Sequence, residues 1–129
     1  MLHIVESNSS IQAIEKSLPE AAARHKFGVL GVHNLKQKMN DKGVPFEREC
    51  LVFEVCSPVQ AKKVLDRNIQ ISTLLPCRIS VYSDAGRTKL ATILPTAMIA
   101  MFPNPELEPV AREVETDIKD IMREAASPK

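Results

Sequence analysis

The stretch Arg48 to Cys56 repeats with a period of two. Leu51, Phe53 and Val55 fall on one face, and Cys50, Val52, Glu54 and Cys56 on the other. That period fits a half-buried strand and no helix. Ser57-Pro58 follows at once and starts a helix: Ser57 can cap it, and Pro58 suits the first helical position. An apolar stripe of Val59, Val64 and Leu65 carries that helix to about Asn68. The chain must therefore pack a helix against a sheet.

The other elements fit around this unit. Leu2 to Glu6 reads as an edge strand. Ser9 and Gln12 have capping-box form ahead of Ile11, Ile14 and Leu18 at helical spacing. Pro19 should kink this helix or split it into two short ones, ending near Lys26. Phe27 to His33 reads as a strand in which Gly28 and Gly31 mark a bend or a close approach. Leu35 to Asn40 can hold one helical turn. Ile69 to Pro76 is a connection. Cys77 to Ser83 and Thr88 to Leu94 form a hairpin across Asp84-Ala85-Gly86-Arg87. Pro95 opens a short apolar segment from Thr96 to Phe102. A last helix begins at Asn104-Pro105 or Glu108-Pro109, with Leu107, Val110, Val114, Ile118, Ile121 and Ala125 along one face. The order is β-α-β-β-α-β-β-α. It predicts an α+β two-layer domain over residues 1–129, with a mainly antiparallel sheet of about five strands covered by helices and a frayed tail at 126–129.

Composition excludes several classes. Of the 129 residues, 44% are hydrophobic and 26% charged, too apolar for a disordered chain. No apolar run approaches the roughly 18–20 residues of a membrane span. Lys plus Arg number 17 against 16 Asp plus Glu, a net charge of +1, and acids alternate with bases along the last helix. The clustered cations of a nucleic-acid surface are missing, and with no Trp and one Tyr so are aromatic platforms for bases. Nucleic acid and membrane are therefore not expected partners. Met1 to Glu6 has no basic stretch followed by an apolar one, so the expected location is the cytoplasm, with three reduced cysteines.

Cys56 is the most informative chemical position. It ends a strand just before a helix start, where amides and the helix dipole can lower a thiol pKa. The bland alternative is an inert buried cysteine. Cys77 begins another strand; if the two strands are neighbours, a reversible disulfide is open to the pair. Arg78 is next in sequence but faces the other way. His33 ends a strand within reach of such a site, or is simply solvated there. Glu54 shares a face with Cys50 and Cys56, as a cleft carboxylate or a surface one. Cys50, Cys56, Cys77, His3, His25 and His33 are possible metal ligands, but no Cys-x-x-Cys or His-Glu-x-x-His spacing joins them, and no metal is assigned. Four glycines form no phosphate loop, so no cofactor is assigned either. Met98, Met101 and Phe102 read as core or as a dimer patch.

Taken together, Gly28-Val29-Leu30 through His33-Asn34-Leu35, Lys42-Gly43-Val44, Glu54-Val55-Cys56-Ser57-Pro58 with Ala61 and Leu65, and Leu74 through Tyr82 resemble the family called domain of unknown function 302. The resemblance runs from about Ile4 to about Ala125. Val-Cys-x-Pro and Leu-Pro-Cys, here Cys56, Pro58, Pro76 and Cys77, are its most specific parts. Ser57 stands where Asn is commoner, and Pro95 fits the proline after the hairpin. The resemblance implies a fold similar to half of the TATA-binding-protein fold, a homodimer, and thiol chemistry at Cys56 and Cys77. It implies no established activity. The expected site is one cleft near Cys56 and Cys77, the reactive thiol and its partner, with His33, Glu54, Ser57 and Arg78 binding a small molecule or sulfur species. A thiol enzyme for sulfur transfer or redox, or a structural dimer without chemistry, are the alternatives.

Overall fold

A computed structural model describes residues 1–102 and 104–128. Five strands form one open sheet, all neighbours antiparallel, in the order β1-β5-β4-β3-β2. They are β1 (Leu2–Ser7), β2 (Gly28–Asn34), β3 (Cys50–Cys56), β4 (Cys77–Asp84) and β5 (Arg87–Ile93). The helices are α1 (Ile11–Arg24), α2 (Leu35–Asp41), α3 (Pro58–Arg67), α4 (Pro95–Ile99) and α5 (Glu108–Ala126), with a 3-10 turn over Ile69–Leu74. This is the expected α+β class. Lys129, in the tail expected to fray, lies outside the described residues, and α5 continues to a buried Ala126.

The period of two in β3 survives as alternating burial. Leu51, Phe53 and Val55 are buried, beside Ile79 and Val81 of β4 and Leu90 of β5. On this face Ile14 and Leu18 of α1 and Ile118, Ile121 and Met122 of α5 close the core. The two helices are also tied by polar contacts. Ser17 Oγ donates to the Ala125 carbonyl at 2.8 Å, and Arg24 and His25 both reach Glu124 at 2.8 and 2.7 Å. His25 donates to Glu124, and with Arg24 it holds that carboxyl below the usual range.

Several local expectations need correction. The α1 N-cap is Ser10, not Ser9; its hydroxyl accepts from the Ala13 amide at 3.1 Å. Pro19 does not divide α1. The amide it lacks would have paired with the carbonyl of Glu15, an exposed position where water can serve instead. Ser57 precedes α3 but makes no side-chain capping bond. The connection after α3 holds a 3-10 turn, and the Pro95 segment is a helix. The hairpin turn places Ala85 and Gly86 at φ of 50° and 79°, as a type I′ turn requires. Gly31 is the close approach: a Cβ there would meet Glu54 Oε1 at 3.0 Å.

Candidate functional site

The residues of the single expected cleft separate onto two faces of the sheet. The helix-covered side holds Cys56, Ser57 and Cys77. The open side holds His33, Glu54 and Arg78. The pleat parts Glu54 and Arg78, which pair across β3 and β4, from Cys77, which pairs with Val55 one step on; Cys56 has the parity of Glu54 but ends β3, where the chain turns into α3 beside the cavity. Side chains one residue apart on a strand leave by opposite faces.

On the open face the three form a chain. Lys38 of α2 donates to His33 Nδ1 at 2.7 Å. That leaves the ring proton on Nε2, which donates to Glu54 Oε1 at 2.9 Å. Arg78 stands 3.9 Å from Glu54 Oε2. Gly31 lets the carboxylate lie against the β2 backbone. Each group has a partner, and Arg78 and Lys38 are the solvated ends. Cys50, also on this face, has its sulfur 3.8 Å from Ser80 Oγ.

On the other side, the end of β3, the first two turns of α3, the 3-10 turn, α4 and α5 enclose a cavity of about 60 Å³. Val55, Val64, Ile71, Met98, Ile99 and Ala111 make most of its wall apolar. Its depth comes from a second, smaller core in which Val64, Ile71 and Leu107 are buried. Pro95 sets the start of α4, and Glu115 of α5 accepts from the Thr96 amide and hydroxyl at 3.2 and 2.7 Å. Burial pushes the Glu115 carboxyl up, but those two bonds outweigh it and hold it below its usual range.

Cys56 and Cys77 both line this cavity and are free thiols. Cys77 is buried and Cys56 half-buried. Burial, and then the neighbouring Cys56, push the Cys77 thiol up to about 11. Burial also pushes the Cys56 thiol up. Of the two readings of Cys56, a thiol lowered by the helix start or an inert buried one, burial in the apolar wall favours the second. Both thiols are therefore neutral at pH 7. Among the described residues no three His, Cys, Asp or Glu gather as metal ligands.

Gln60 completes the polar part of the wall and escaped the sequence reading. It lies four residues after Cys56 and three after Ser57, a helical spacing that puts it on the cavity side once α3 is placed. Its Nε2 donates to Glu113 at 2.9 Å, while its Oε1 is buried without a partner.

Fold and site define a small α+β protein with a thiol-lined apolar cavity behind an open sheet. The chain belongs to the family described as domain of unknown function DUF302, whose model matches residues 3–125. It is similar, at a TM-score of 0.92 and 27% identity over 98% of both chains, to the crystal structure of an uncharacterized conserved protein DUF302 from Bacillus stearothermophilus. Among curated proteins there is no match. No described helix is long and apolar enough to cross a membrane.

Proposed function

We propose that this chain is a binding protein for a small neutral ligand, a thiol or related sulfur species, held in the cavity beside Cys56 and Cys77. The observation that carries this reading is that both cysteines share one apolar cavity that keeps their thiols protonated. A charged ligand entering such a wall would lose its hydration with nothing to replace it. A soft, neutral one loses little. Size narrows the class further. At roughly 10–15 Å³ per water-sized group, about 60 Å³ admits a ligand of a few heavy atoms. Cofactor-sized pockets run to roughly 300–1,000 Å³. Cys56, the less buried thiol, meets the ligand first, and Cys77 backs it. A cytoplasmic setting would keep both reduced.

The proposal includes a homodimer. Leu2 and Ile4 of β1 and Ile93 of β5 are exposed at 60%, 46% and 47% and adjoin one another on the open face. A second copy would cover such an edge.

One set of samples tests both parts. Titration of 1-propanethiol under reducing conditions should raise the thermal midpoint and saturate. Ala61→Leu, which fills the cavity from the α3 side, should abolish that rise and leave the fold intact. Sedimentation of the same samples should give twice the 14.3 kDa chain mass. An unsaturable response unchanged by Ala61→Leu would refute the binding reading, and a 14.3 kDa species at high concentration the dimer.

A further inference from the structure

Gln60 sits at the polar corner of the cavity, beside the buried Ser57. The orientation of its amide is fixed. Glu113 can only accept, so the group facing it must be the Gln60 NH₂, and the 2.9 Å contact is Nε2 to Oε2. The carbonyl end therefore cannot be exchanged for a donor. Oε1 is buried and has no partner. A buried acceptor left open is uncommon in folded proteins, because it loses its hydration without recompense. Ser57 is also available: it makes no capping bond for α3, and its hydroxyl can donate or accept. The rest of the wall is apolar or thiol.

We infer that Gln60 is the specificity-determining residue of this cavity, and that the ligand is a small neutral molecule carrying an N–H, O–H or S–H donor on a short apolar body. The donor pairs with Gln60 Oε1 and the body fills the space between Cys77, Met98 and Ala111. Ser57 serves a ligand's acceptor or donor equally and does not discriminate. This inference rests on the reading of the cavity as the ligand site.

Two isomers of one formula separate the terms. 1-Butanol and diethyl ether have the same atoms and nearly the same volume, but only the alcohol has a donor. Each is titrated into the full chain, and the backbone amide shifts of Ala61 and Val64 are followed. The wild type should prefer the alcohol by about ten-fold, the scale set by leaving one buried acceptor unpaired. Gln60→Leu should bring that ratio close to one by improving ether binding as well as weakening the alcohol. Gln60→Met, of the same length, serves the same purpose should the leucine variant fold poorly. Equal binding of both isomers to the wild type, or a preference that survives loss of the amide, overturns the role of Gln60 and leaves the cavity as a site. If neither isomer shifts these amides, the cavity reading fails as well.

Discussion

Phe53→Ala is expected to lower the unfolding free energy by about 3–5 kcal/mol. Phe53 is fully buried at the middle of β3, the strand flanked by β2 and β4. Its cross-strand partners are Val32 on one side and Ile79 on the other. The core face above it is closed by α1 and α5. Removing the ring takes away its transfer free energy and leaves a void that rigid neighbouring strands cannot fill. Domains of this kind are stable by roughly 5–15 kcal/mol, so the variant would sit near the limit of folding. Urea unfolding should show the midpoint falling with the slope unchanged. A loss below about 1 kcal/mol would mean that the core collapses around the gap far more readily than these side chains allow.

The second large effect is alkaline. Stability should fall by about 2–3 kcal/mol between pH 9 and 11 through Cys77 alone. The thiol ionises near its ordinary value in the unfolded chain, but only at about 11 in the folded one. Below the unfolded value both states are protonated and the contribution is fully present. As pH rises through the window, the unfolded chain releases a proton that the folded chain keeps, so unfolding gains. Cys77→Ala isolates the thiol by removing it. Unfolding in urea at pH 8 and pH 10.5, under reducing conditions, should give a smaller pH loss for the variant. Identical losses would place the Cys77 thiol in contact with water.

Much of the fold was legible because its signals are local. The period of two in β3, the turn residues Asp84 to Arg87 and the stripe on α5 each need only neighbouring residues. The site was legible in its parts and not in its grouping. Glu54 and Cys56 share a strand face in the sequence, and that suggested a common cleft with Cys77. The β3–β4 register sets Arg78 against Glu54 and Cys77 against Val55 on the opposite face, and Cys56 joins Cys77 only because β3 ends there and the chain turns into α3. Register is a tertiary property that a single strand does not encode. The thiol pKa was illegible for a related reason. The helix start after Cys56 is visible in Ser57-Pro58, but the apolar wall opposing it comes from α4 and α5, far along the chain. Gln60 escaped notice because an ordinary polar residue on a helix becomes informative only when its oxygen is found buried and unpaired.

Cys56 and Cys77 present neutral thiols to a small cavity. The most direct test is the rate of iodoacetamide alkylation against pH, with Cys50, Cys56 and Cys77 resolved by mass spectrometry. Cys56 should react with an apparent pKa above the free-thiol value of about 8.5, and more slowly once Ala61→Leu fills the cavity. Cys77 should stay unmodified at neutral pH until the chain unfolds. Fast reaction of either thiol with an apparent pKa well below about 8.5 would contradict the account and point to a thiolate enzyme instead.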